Sequence, residues 1–138
     1  MTPVELARRH AASFTTPRPW TSHEFQDLLA SDLIHLIAGP FGFALIRIVT
    51  DEAELLTIAV DPDMRGQGHG THLMQTALGT AQSHGASEMF LEVASDNQAA
   101  CALYQILGFA QIGKRSGYYK HPDGQISDAI SMKASLIS

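Results

Sequence analysis

Leu55-Leu56-Thr57-Ile58-Ala59-Val60-Asp61-Pro62-Asp63-Met64-Arg65-Gly66-Gln67-Gly68-His69-Gly70 runs from an apolar extended segment through a proline turn into a glycine-rich loop, and Thr71 to Leu78 then read as helix. A strand that feeds such a loop into a helix collects unpaired backbone N–H groups and the positive end of the helix dipole at one point, which suits phosphate. A Walker loop needs Lys and then Ser or Thr after its last glycine, but Thr71 and His72 follow Gly70. The dinucleotide fingerprint G-x-G-x-x-G fails as well, because the glycines at 66, 68 and 70 are spaced G-x-G-x-G. What remains is Arg-x-x-Gly-x-Gly at 65–70, either a phosphate cradle of another kind or a flexible turn.

Composition narrows the setting. A chain of 138 residues reads as a single domain over 1–138, and 45% hydrophobic content supplies a core. No window has the roughly 18 uninterrupted apolar residues of a membrane span, and Glu5, Arg8, Arg9 and His10 interrupt any signal-peptide core. A cytoplasmic protein with no membrane partner is expected. The single cysteine, Cys101, excludes an internal disulfide and a cysteine-based zinc site. A net charge of −5 speaks against nucleic-acid binding, yet permits one anionic ligand held locally.

Outward from the loop, the pattern predicts alternating elements. Val4, Ala7, Ala11 and Phe14 sit at helical spacing, and Thr15 to Pro19 end that helix. Thr21 and Glu24 form a capping-box signature, with Trp20 placed to staple onto Phe25 of a second helix reaching about Ala30. Strands are predicted at Leu33–Ala38, Phe43–Val49 and Leu55–Val60, with Thr50–Ala53 as a turn. The helix opened by Gly68 ends near Gly85, and Met89, Leu91 and Val93 mark a strand parallel to Leu55–Val60, since a crossover helix joins them. A helix with Leu103, Tyr104 and Leu107 follows, then strands at Phe109–Gly113 and Ile130–Leu136. The predicted fold is an α/β (α+β) domain, a mixed sheet with helices covering it and a ligand site at the carboxyl ends of its parallel strands.

Several side chains have chemistry to offer. Glu92 places a carboxylate in the apolar run Phe90-Leu91-Glu92-Val93; burial there would raise its pKa and suit a general base acting on an ammonium group. A salt-bridged or edge glutamate is the other reading. Asn97 fits a helix cap or an amide contact to a peptide-like ligand. Tyr104, two helical turns on, fits either a core tyrosine or an acid that protonates a leaving thiolate. Cys101 has no flanking base or cation and reads as a packed helix residue. His69 and His72 lack an evident third ligand, so no metal is expected. Arg65, which begins the loop, fits phosphate pairing or a solvated position, and Tyr118 and Tyr119 fit an acceptor groove or hairpin packing. Asp51, Glu52 and Glu54 form an acidic edge suited to a cationic amine or to plain solvation.

Residues from about Gly42 to Leu136 resemble the GNAT acetyltransferase superfamily, and more closely its ribosomal-protein alanine N-acetyltransferase branch. The resemblance rests on Asp51 through Pro62, the glycine loop, Phe90-Leu91-Glu92-Val93 with Ser95-Asp96-Asn97, Ala102-Leu103-Tyr104 through Leu107-Gly108-Phe109, Tyr118-Tyr119, and Asp128 through Met132. It implies a GNAT-like mixed central sheet with helices on both faces, and two central parallel strands that splay around the pantetheine arm of acetyl-coenzyme A. It further implies Glu92 as general base and Tyr104 as general acid. Ile58, Ala59 and Val60 would bind the acetyl and pantetheine arm through backbone groups, Arg65, Gly66, Gln67, Gly68, His69, Gly70 and Thr71 would hold the pyrophosphate, and Asn97 and Tyr104 would contact the cofactor. Tyr118 and Tyr119 would position a peptide acceptor. The implied reaction is direct acetyl transfer from acetyl-coenzyme A, with no metal, to the N-terminal α-amine of a protein, an Ala-starting ribosomal protein in that branch. A small amine, a lysine side chain, or coenzyme A binding without catalysis are the alternatives, the last disfavoured by the presence of both Glu92 and Tyr104. One departure is expected: the strand that usually precedes the first family helix has no counterpart here.

Overall fold

The computed structural model describes residues 1–13 and 19–137. Phe14, and Thr15 to Arg18 of the predicted stop at Thr15 to Pro19, lie outside the described residues. Helices α1 (Pro3–Ser13) and α2 (Ser22–Leu29) come first, followed by strands β1 (Ile34–Gly39), β2 (Gly42–Val49) and β3 (Glu52–Val60). A single 3-10 turn at Pro62–Met64 leads through the glycine loop to α3 (His69–Ser83). Strand β4 (Glu88–Ala94), helix α4 (Gln98–Ile106), and strands β5 (Ala110–Lys120) and β6 (Ile126–Ser135) complete the order. The first described element is a helix.

The second helix starts as its sequence dictates. Thr21 accepts from the Glu24 amide through its side chain while Glu24 accepts from the Thr21 amide, both at 3.1 Å, and the Trp20 and Phe25 rings meet at 5.5 Å. Two orphan amides are thereby satisfied and the entry angle is set by an apolar clasp.

The strands form one mixed sheet in the order β1-β2-β3-β4-β6-β5. Pairing is antiparallel except between β3 and β4, which run parallel across the crossover helix α3. That parallel ladder is short: Glu52, Ala53 and Glu54 pair with Glu88, Met89 and Phe90, and then the two strands part. On the other side of β3 the ladder to β2 continues to Val60, with a bulge that skips Leu56. The bulge lets Leu56 and Thr57 both turn toward α1 instead of alternating.

Helices cover both faces. Leu73, Met74, Ala77 and Ala81 of α3 and Tyr104 of α4 pack with Ile46, Leu55, Leu91, Val93 and Met132 in one core. Leu6 of α1 and Phe25 of α2 pack with Phe43, Leu45 and Ala59 on the opposite face. This second layer holds a polar centre. The His10 ring, 1% exposed, stacks on Trp20 at 5.0 Å and lies edge-on to Phe25 at 5.6 Å. The Trp20 amide donates to His10 Nδ1 at 3.0 Å, so Nδ1 carries no proton. Nε2 therefore carries it and donates to Thr57 Oγ1, also at 3.0 Å. The ring is held neutral, with burial driving its pKa down to about 4.

Three sequence expectations change. β3 begins at Glu52, shrinking the turn to Thr50 and Asp51. The fifth strand runs to Lys120, not Gly113, and the sixth begins at Ile126, not Ile130. The polar run Lys114 to Lys120 conceals a strand because it sits at the sheet edge, where neither face must be apolar.

Candidate functional site

The parting of β3 and β4 creates the site. Beyond Glu54 and Phe90 the ladder stops, and Leu55 to Val60 diverges from Leu91 to Ala94. Ile58 and Val60 are partly buried against the α3 core, and Ala59 is buried against α1 and α2. The glycine loop sits at the carboxyl end of this gap. Gly68 is the N-cap of α3 in the left-handed region, φ +85, with no side chain to cap the helix. Gly66 is also left-handed, φ +77, and both glycines face open space where a Cβ would meet nothing within 4 Å.

The first intrahelical bond is from the His72 amide to the Gly68 carbonyl, so the amides of His69, Gly70 and Thr71 have no acceptor within the helix. Gly70 lies where a Cβ would be 3.5 Å from Leu103 of α4 and 3.9 Å from Val60. Loop, strand end and α4 therefore meet. Arg65 and Gln67 are exposed, and His69 packs edge-on against Phe41 at 4.9 Å. These features fit an anionic ligand whose phosphates rest on backbone amides and whose arm enters between the strands.

On α4, Asn97 is the N-cap, accepting from the Ala100 amide at 3.2 Å. Tyr104 is buried, 5% exposed, and packs on Phe109 at 5.8 Å. Burial pushes its phenol well above the ordinary range, so it stays protonated throughout neutral pH. Burial, and then the charge of Asp96, also raises the Cys101 thiol, the opposite of what a nucleophilic cysteine needs.

Glu92 corrects the sequence reading. It is exposed, not buried, because Met89, Leu91 and Val93 take the inward positions of β4 and period-two alternation turns Glu92 to the other face. There α1 and α2 make their main sheet contacts with β3 and β1, leaving the β4-β6-β5 half open among the described residues. Arg115 pairs through Nη2 with Glu92 Oε2, and the Tyr119 hydroxyl donates to Glu92 Oε1 at 3.2 Å. The Arg115 guanidinium lies 4.0 Å from the Tyr118 ring centroid, and the two tyrosine rings meet edge-on at 5.1 Å. Burial and then the Glu92 charge push Tyr119 up to about 12.

Glu92, Tyr118 and Tyr119 are thus brought together, while Tyr104 and Asn97 stand on α4. Sequence reading missed Arg115 altogether. Its only trace was a basic residue shortly before the tyrosine pair, and the partner lies 23 positions away. The acidic edge is partly neutralised, since Arg47 pairs with Glu54 at 2.7 Å.

Comparison with known proteins agrees with this fold. Residues 6–109 match the Acetyltransferase (GNAT) family. Over 91 residues the chain is 43% identical to the ribosomal protein bS18-alanine N-acetyltransferase of Escherichia coli strain K12, an alignment covering 66% of this chain. The chain spans only 61% of that relative's length. The N-alpha-acetyltransferase RimI of Mycobacterium tuberculosis is 34% identical over 123 residues, covering 83% of this chain and 76% of that protein. The crystal structure of the ribosomal-protein-S18-alanine N-acetyltransferase from Escherichia coli superposes with a TM-score of 0.85 at 31% identity, covering 96% of this chain and 86% of that one. Family match, shared identity and superposable fold converge, and the chain belongs to the GNAT acetyltransferase family.

Proposed function

We propose that this protein transfers the acetyl group of acetyl-coenzyme A to the N-terminal α-amine of a protein, in particular an Ala-starting ribosomal protein. The observation that carries the reading is the position of Glu92: a carboxylate two residues past the last β3–β4 rung, on an open sheet face beside the cleft. Relatives named for the same reaction supply the acceptor class.

Each group has a physical role. Amides of His69, Gly70 and Thr71, with Arg65 and Gln67 beside them, hold the pyrophosphate. The divergent edge of Ile58 and Ala59 offers backbone groups to the amide arm, and Val60 closes the cleft near Gly70. Acetyl-coenzyme A supplies an activated thioester carbonyl. Glu92 takes a proton from the incoming ammonium, directly or through a water, so that the free amine attacks. Tyr104, kept protonated by burial, donates to the departing sulfur and recovers a proton from the second one that the attacking nitrogen sheds as the amide forms, and Asn97 orders the start of α4 beneath it. Tyr118 and Tyr119 flank the acceptor's first residues. Cys101 carries no acyl group, so transfer is direct.

Incubating the protein and acetyl-coenzyme A with a mixed pool of N-terminal peptides, lysine peptides and polyamines, with mass-spectrometric readout, tests this. Selective acetylation of Ala-starting N-termini is expected, with Glu92→Gln lowering kcat/KM by about 100-fold or more. Product on polyamines alone would move the assignment to small amines. Coenzyme A binding with no product would make the chain a binding module.

A further inference from the structure

Arg115 has no role in the chemistry above, yet it contacts the Glu92 carboxylate directly on the open face. Its guanidinium bridges the Glu92 carboxylate and the face of Tyr118, while Tyr119 occupies the other Glu92 oxygen. An anionic oxygen on one side and an aromatic face on the other make a receptor for a cation. An incoming peptide presents one such cation, its α-ammonium, and must bring it to Glu92.

We infer that Arg115 is an internal stand-in for the acceptor's ammonium, seated between Glu92 and Tyr118 until the peptide N-terminus displaces it. This rests on the reading of Glu92 as the base. The arrangement is suited to exchange. Arg115 and its partner sit at the surface, with side-chain exposures of 56% and 29%. The strand that carries Arg115 is at the sheet edge, and its register to β6 is irregular between Arg115 and Tyr119. An exposed pair of this kind is weak and screened by solvent, so its displacement costs an acceptor at most about fivefold in affinity. The stand-in thereby keeps Glu92 paired when no acceptor is present and discriminates against neutral groups, which cannot replace the lost charge interaction.

The test uses the full chain with Arg115→Gln and Arg115→Lys, an Ala-starting peptide and the same peptide N-acetylated. Arg115→Gln is expected to lower KM for the amine peptide about two- to fivefold, leaving KM for acetyl-coenzyme A within about twofold. Calorimetric binding of the amine peptide with coenzyme A present should tighten to match, and the acetylated peptide should show no such gain. Arg115→Lys, which restores a cation, should return KM toward the wild-type value. A raised acceptor KM or a fall in kcat in Arg115→Gln would show that Arg115 binds substrate or props Glu92, and would overturn the inference. Unchanged acceptor affinity, or no peptide binding to either protein, would overturn it equally. Glu92→Gln separates the two readings: full turnover in that variant removes the general base, while amine-specific tightening in Arg115→Gln would still identify the seat.

Discussion

Glu92 owes its exposure to alternation along β4 and to the limited reach of α1 and α2 across the sheet. His10 is its converse: an ionisable ring fully enclosed, whose neutral state follows from the donor at Nδ1. Its linkage to pH has a definite sign. The unfolded ring titrates near 6.5 and the folded ring near 4, so below 6.5 the unfolded chain takes up the extra proton. Stability is fully present above pH 6.5 and declines as pH falls toward 4, by at most about 3 kcal/mol from this group. Urea midpoints measured between pH 7 and 5 should fall for the wild type, and His10→Gln, less stable at pH 7, should fall less over the same window. Neither His10 nor Arg115 announces this in sequence. His10 falls on the first helix, and its partners Trp20 and Thr57 are 10 and 47 positions away. A pairing across that distance is a property of the folded sheet, whereas the Thr21–Glu24 box spans three positions and could be read directly.

Elements tell a similar story at larger size. The loop between β3 and α3 was legible because glycine spacing is local and the left-handed backbone at Gly66 and Gly68 needs glycine. The ends of β5 and β6 were not, because an edge hairpin is held by cross-strand bonds and carries no apolar alternation along Lys114 to Lys120. Gly68→Ala meets no steric obstacle but puts an L side chain at positive φ, a strain of about 1–2 kcal/mol in the loop conformation. The expected outcome is a severalfold rise in KM for acetyl-coenzyme A in steady-state assays, with kcat for saturating substrates near the wild-type value. Beside the site, Asp96, His121 and Ser127 gather in a way that resembles a hydrolytic triad. Both Asp96 and Ser127 approach the same nitrogen, Nε2, each at 2.9 Å. A relay needs the two ring nitrogens to face different partners, so this cluster clamps the β4–α4 turn to β6 and moves no proton to a nucleophile.

At the scale of the whole molecule, the sheet is two three-stranded leaves, β1-β2-β3 and β4-β6-β5, meeting along one parallel ladder. A ligand seated in the cleft stabilises only the folded chain. Coenzyme A at 100 times its dissociation constant should add about 2.7 kcal/mol to stability. Differential scanning calorimetry should then show a rise in Tm on the order of 10 °C, growing with ligand concentration. An unmoved transition would mean that the loop and the gap do not bind coenzyme A. The mechanical meaning of the seam is separate from its chemistry. Three residue pairs join leaves whose own ladders are far longer. A small shear along that line widens or narrows the slit while breaking no rung inside either leaf. The line of fewest backbone rungs in the sheet therefore runs through the cleft itself.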